Sequence, residues 1–82
     1  MATSIVTLNS STYTEIGTGE CFIDLPDGMT IKYSIGSAVP AADTAAFHTA
    51  SKPMNYSGTE TVYGMIARNT SSGNDIAVTE VV

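Results

Sequence analysis

At 82 residues the chain has room for one domain, and a domain of that size buries only about 60% of the surface its unfolded form exposes. Hydrophobic residues make up 43% of it and charged residues 13%, against about 25% charged in an ordinary soluble domain, so Ser and Thr carry most of the polar surface of a chain built to fold. Eight acidic residues against three basic ones (Lys32, Lys52 and Arg68) give a net charge of −5; three scattered cations cannot neutralise a run of phosphates or hold an anionic membrane surface, which excludes nucleic acid and such membranes as partners.

In chain order, β-branched and aromatic runs alternate with Gly, Pro, Asn and Asp at short intervals, the pattern of a sandwich or small barrel. Ser4 to Leu8 is a first strand closed by Asn9-Ser10-Ser11, and Tyr13 to Ile16 a short second one ended by Gly17-Thr18-Gly19. Glu20 to Leu25 follows, with Cys21, Ile23 and Leu25 on one face and Phe22 and Asp24 on the other. Pro26-Asp27-Gly28 is a turn in which proline presets φ at the second position. Met29, Ile31, Tyr33 and Ile35 then alternate with Thr30, Lys32 and Ser34, the clearest period-two run in the chain and the mark of a strand with one buried face.

After Gly36 the alternation stops. Small residues fill Ser37 to Ala46, where a helical turn capped by Asp43 or Thr44 is one option. The shortage of bulky apolar residues favours a crossover loop between sheets, near residues 37–53, with Phe47 anchoring its far end. Met54 to Tyr56 reads as a short edge segment. Thr61 to Asn69 is a long strand with Val62, Gly64 and Ile66 on one face and Tyr63, Met65 and Ala67 on the other; Thr70 to Asn74 turns the chain, and Ile76 to Val82 ends it in strand, Ile76 and Val78 facing inward. The expected fold is all-β: one small antiparallel β-sandwich over residues 1–82 (jelly-roll, Ig-like or a partly open barrel) with six to eight short strands, residues 1–11 serving as an N-terminal strand or arm able to exchange.

Catalysis needs convergent titratable groups, and few exist to converge. His48 is the single histidine and has neither a second His nor a helical acid beside it. Cys21, the single cysteine, forms no intramolecular disulfide and sits in an alternating strand, where a buried thiol acts as a small hydrophobe. One Cys and one His fall short of the four ligands of a zinc site. Asp24 to Gly28 superficially resembles a calcium loop but lacks the closing Glu and the further oxygen ligands. The glycines are isolated turn residues, with no run before a helix to cradle phosphate. The reading is therefore no enzyme, no metal and no cofactor. Met1 to Leu8 has neither the basic nor the long apolar segment of a signal peptide, and no run approaches the roughly 20 apolar residues of a membrane span, so a soluble product of a cytosol is expected.

The aromatic residues Tyr13, Phe22, Tyr33, Phe47, Tyr56 and Tyr63 have two uses, a sugar-stacking surface or the core of a domain that lacks Trp. Core use is favoured for each; Tyr33 lies on an apolar strand face, while Phe22, Phe47, Tyr56 and Tyr63 are the candidates for facing a partner. With Ile5 and Val6 of the N-terminal strand, which offers an edge for β-augmentation, they form the set of candidate contact residues.

The stretch Ile35-Gly36-Ser37-Ala38-Val39-Pro40-Ala41-Ala42-Asp43-Thr44 with Phe47-His48 beyond, then Tyr63-Gly64-Met65-Ile66-Ala67-Arg68, then Ile76-Ala77-Val78-Thr79-Glu80, resembles a class of small virion proteins of tailed bacteriophages. The match spans roughly residues 16–82 through short motifs: a strand ending in a glycine-to-proline turn, a crossover with an apolar anchor, and a closing strand. The resemblance implies a β-sandwich used in assembly, with the major capsid protein as partner and the capsid exterior as location, either as a decoration (cement) protein or as a tail, neck or fibre module that reads a receptor or glycan. It brings no catalytic residues. Beginning at Met1 and ending on a strand, the chain reads as a stand-alone product, and a homo-oligomer, with a trimer suited to the local threefold sites of shells, is the expected form.

Overall fold

A computed structural model describes residues 2–81 of the chain. Eight strands follow one another: β1 (Ala2–Thr7), β2 (Thr14–Thr18), β3 (Cys21–Asp24), β4 (Met29–Gly36), β5 (His48–Ala50), β6 (Met54–Tyr56), β7 (Thr61–Asn69) and β8 (Asp75–Glu80). The expected last strand stops at Glu80; its far end, Val82, lies outside the described residues.

The pairing is that of one long hairpin. β1 pairs with β8, β2 with β7, β3 with β6 and β4 with β5, all antiparallel. Rolling that hairpin brings β3 beside β8 and β4 beside β7, which yields two four-stranded sheets, ordered β1-β8-β3-β6 and β2-β7-β4-β5. This is the double Greek key of a jelly roll, and it selects one of the sandwich types that the sequence left open.

One connection differs from expectation. β4 and β5 are antiparallel neighbours in the same sheet, so residues 37–47 form the tip of the hairpin and make no crossing between sheets. The crossing falls in the short link between β5 and β6, which lie in different sheets, so it occupies only the end of the expected 37–53 span. The small residues of the tip hold a single turn, in which Thr44 donates its N–H to the Ala41 carbonyl. The turn before β4 also differs in detail. Met29 donates to the Pro26 carbonyl and Gly28 has φ +90°, so Pro26 is the first residue of a type II turn and Gly28 supplies its left-handed position.

Between the sheets, Leu8, Cys21, Ile23, Leu25, Ile76 and Val78 meet Ile16, Met29, Ile31, Val62 and Ile66 in one apolar cluster. No polar or charged residue is buried among the described residues. The alternation read in β3, β4, β7 and β8 delivers these side chains to the inner layer. Ile35 is the exception: β5 ends its pairing at His48↔Tyr33, so Ile35 has a strand on one side only and stands exposed. A second, smaller cluster of Tyr13, Tyr63 and Met65 lies on the opposite side of β7.

Tyr56 closes the loop that precedes β7. Its hydroxyl accepts the Glu60 N–H at 3.0 Å, and the ring lies against Gly58, where an added Cβ would run into it. Gly58→Ala is therefore expected to lower stability by about 1–3 kcal/mol through overpacking, read as a shift of the urea midpoint at unchanged m-value; an unchanged midpoint would mean that the ring does not hold the loop.

Candidate interaction surface

The groups capable of chemistry are kept apart by the two sheets. Cys21, on β3, is buried between Gly17 and Glu80, the carboxylate that also accepts the Thr18 N–H at 3.0 Å. Burial pushes the Cys21 thiol above its ordinary value of 9.0, and the Glu80 charge pushes the same way, which opposes formation of a nucleophilic thiolate. His48 is exposed on β5 in the other sheet, its ring tilted by 34° against that of its cross-strand neighbour Tyr33 with centroids 5.4 Å apart. Among the described residues no group of three or more His, Cys, Asp or Glu side chains gathers where it could hold a metal ion.

An open polar cleft of about 550 Å³ lies between Asn9–Ser11 and the β7–β8 turn. Its two asparagines and Ser71 are already engaged. Asn9 Oδ1 accepts the N–H groups of Ser11 and Thr12 at 2.8 Å; Asn69 Oδ1 accepts the Ser71 N–H at 2.9 Å while its Nδ2 donates to the Gly73 carbonyl at 2.9 Å. The cleft is where two self-capped turns meet, each shaped by an asparagine mimicking backbone.

The outer face of the β1-β8-β3-β6 sheet has a different character. Alternation with the buried Cys21, Ile23, Ile76 and Val78 turns Phe22, Ala77 and Val81 outward, and the β1 register places Thr3, Ile5 and Thr7 on the same face. Ile5 is 64% exposed and Phe22 48% exposed. Ile5 lies beside Ala77, which lies beside Asp24; Thr3 lies beside Thr79, which lies beside Phe22. The threonines are engaged with their neighbours, Thr3 Oγ1 with Thr79 Oγ1 at 2.6 Å and Thr7 Oγ1 donating to Asp75 Oδ1 at 2.6 Å. A mostly uncharged strip of apolar and methyl-bearing side chains results.

Of the six candidate contact residues, the fold thus brings Ile5 and Phe22 onto one face. Phe47 is 37% exposed at the far tip, under the Lys32 ammonium at 4.9 Å from its ring centre, with exposed Ile35 and Val39 in the same β4–β5 end of the domain; it caps that end without anchoring it. The other three are taken out of the surface. Val6 and Tyr56 are partly buried against the main core, because they share the inner face with Ile76 and Cys21 respectively. Tyr63, 9% exposed, is buried with Tyr13 and Met65. Sequence reasoning missed Val81 and Ala77, whose outward direction follows from the same alternation that sends Ile76 and Val78 inward.

No family model, curated protein or solved structure matches the chain.

Two measurements test this description. The Tyr13 hydroxyl is buried without a hydrogen-bond partner, and an unpaired buried hydroxyl is destabilising, so Tyr13→Phe is expected to raise stability by about 1 kcal/mol in urea unfolding; a loss would reveal a partner for that oxygen. The second is a pH profile. Burial raises the Tyr13 phenol above 10.0 and the Cys21 thiol above 9.0, so the folded state holds both protons more tightly than the unfolded chain does. Their contribution is complete below the unfolded values and is lost as pH rises through the folded ones. Stability should therefore decline from about pH 9 upward, and Cys21→Ala should flatten the first part of that decline; an identical slope in the variant would show that the thiol is not desolvated.

Proposed function

We propose that the chain is a non-enzymatic structural protein of a tailed-bacteriophage virion, a decoration protein that binds the outer surface of the major-capsid lattice and stabilises it. The observation that carries the reading is the outer face of the β1-β8-β3-β6 sheet, with Ile5, Ala77, Phe22 and Val81 turned to solvent. Apolar area left outside so small a domain is the usual mark of a partner surface, and a sheet face fits another protein better than a small molecule, which takes a concave site. A net charge of −5 suits the exterior of a shell and opposes contact with packaged DNA. Binding to a repeating lattice would also stabilise the domain by mass action.

A fibre, tail or neck module is the second reading, favoured by one observation: Phe47, Ile35 and Val39 are exposed at the β4–β5 end of the domain, where a sugar face could rest on the Phe47 ring. Jelly rolls serve in both settings, so the fold does not choose between them.

The test is sedimentation of the purified protein with mature capsids that lack it. Decoration predicts saturable cosedimentation at tens to hundreds of copies per particle. Phe22→Glu, at an exposed position that leaves the core intact, should weaken binding by at least about tenfold, as loss of an aromatic anchor does. No cosedimentation, or a handful of copies, would overturn the reading and direct attention to glycans and Phe47.

A further inference from the structure

The four sheet edges are not equally guarded. A free edge is a row of unpaired backbone donors and acceptors, which folded proteins blunt by shortness, charge, proline or a bulge. β5 and β6 are three residues each, with Lys52 and Pro53 in the link between them. β2 carries Glu15 and a register shift between Glu15 and Gly17. β1 has none of these devices: its six residues, Ala-Thr-Ser-Ile-Val-Thr, include no charge and no proline, and they pair with β8 in unbroken register. Apart from Val6, every residue of β1 is exposed.

The polarity of that edge follows from the ladder. Leu8 donates its N–H to the Asn74 carbonyl at 2.9 Å, which continues the register Ala2↔Glu80 to Thr7↔Asp75. Since N–H and C=O groups alternate sides along an antiparallel strand, those of Ala2, Ser4 and Val6 face β8. Those of Thr3, Ile5 and Thr7 face the open edge, and their side chains all lie on the outer sheet face.

We propose that β1 pairs with β1 of a second copy of this chain, antiparallel about a two-fold axis at Ile5. Ile5 then lies opposite the partner's Ile5, and Thr3 and Thr7 lie opposite the partner's Thr7 and the partner's Thr3. Each such pair exchanges two backbone hydrogen bonds, about six in all. This is the centred register that uses all three outward-facing residues, and it covers the most exposed large apolar side chain of the domain.

The strand is self-complementary: its outward-facing residues read Thr3, Ile5, Thr7, the same in either direction, and it carries no charge to oppose a copy of itself. Across a two-fold axis every charge near the axis meets its own sign, so a self-interface must be neutral where it touches, and β1 is neutral throughout. The nearest carboxylates on that face do not oppose one another. Asp24 lies beyond Ala77, and in the joined sheet it stands five strand spacings, about 24 Å, from the partner's Asp24, well outside the screening length. Asp75 is bonded to Thr7 and, one strand further on, faces the partner's Thr3. The two outer faces fuse into one eight-stranded surface running from Phe22 to the partner's Phe22, and the pairing closes at two copies. The proposal stands whether or not the chain coats a capsid.

The test is sedimentation velocity of the purified protein from low micromolar to near millimolar concentration, with two kinds of variant. A monomer–dimer equilibrium is expected, with dissociation in the micromolar range or weaker because one strand pair is a small interface. Ile5→Lys puts like charges opposite each other and should weaken dimerisation by at least about tenfold, while the circular dichroism, and the urea midpoint at concentrations where both proteins are monomeric, stay those of the parent. Ile5→Cys should form a disulfide-linked dimer under mild oxidation, since directly opposed residues lie about 5.5 Å apart at Cα, whereas Ser4→Cys, which faces the partner's Val6, should not. A monomer at every concentration, a trimer, a dimer that survives Ile5→Lys, or equal cross-linking at positions 4 and 5 would each overturn the proposal.

Discussion

The apolar layer between the two sheets is what every other feature depends on, because it contains nothing else. With no buried polar or charged residue among those described, the sheets adhere through a force that scales with area and has little directional preference. Uniqueness has to come from the ladders. The long β4–β7 pairing, carried from Met29↔Asn69 to Gly36↔Thr61 with one irregularity, fixes which faces of both strands turn inward, since a slip by one residue would reverse them all. Gly64 on β7 then admits the Ile16 side chain from β2; a Cβ there would lie 2.5 Å from Ile16 Cδ1, and the edge strand could not close down on the core.

Rolling a single hairpin has a topological consequence. The first and last described strands become neighbours, and β1 is left as an outer strand that, among the described residues, pairs with β8 alone. The inner layer is nevertheless completed without it: Leu8, just past β1, is fully buried, whereas the inward positions of β1 are Ala2, Ser4 and the partly buried Val6. β1 therefore contributes hydrogen bonds and little apolar burial. The small cluster of Tyr13, Tyr63 and Met65 makes up part of the difference on the other sheet, at the expense of an unpaired hydroxyl on Tyr13.

Period-two alternation made most of this legible in the sequence. In Cys21–Asp24, Met29–Ser34 and Ile76–Val78 the residue type changes with each face, and the inner residues are those the alternation named. β7 was legible in its extent, Thr61–Asn69, but not in its second face: both sides are apolar, and only Tyr13, reached by folding, decides that Tyr63 and Met65 are buried. β5 was not foreseen, because His48 and Thr49 are exposed and Ala50 alone approaches the core, so no alternation could develop. A tip built largely of alanines carries no signal of which sheet it returns to, and that is why residues 37–53 read as one crossing when only its end crosses. At the candidate surface, Phe22 was visible as an apolar residue between inward Cys21 and Ile23. Tyr56 was not separable from it, since its inward direction follows from the pairing with Cys21, a register that a three-residue strand does not reveal.

The charge distribution gives the exposed surface its direction. With a net charge of −5 and few cations to offset it, two copies repel at long range, and random encounters through charged loops are disfavoured. The strip formed by β1, Ala77, Thr79 and Phe22 bears no charge, so it is the region where close approach meets least opposition. An acidic body with one neutral, unpaired edge is protected from indiscriminate aggregation by the first feature, and the second leaves β1 as the place where the proposed pairing would meet least opposition. The unguarded strand is tolerable in this domain because everything around it is guarded.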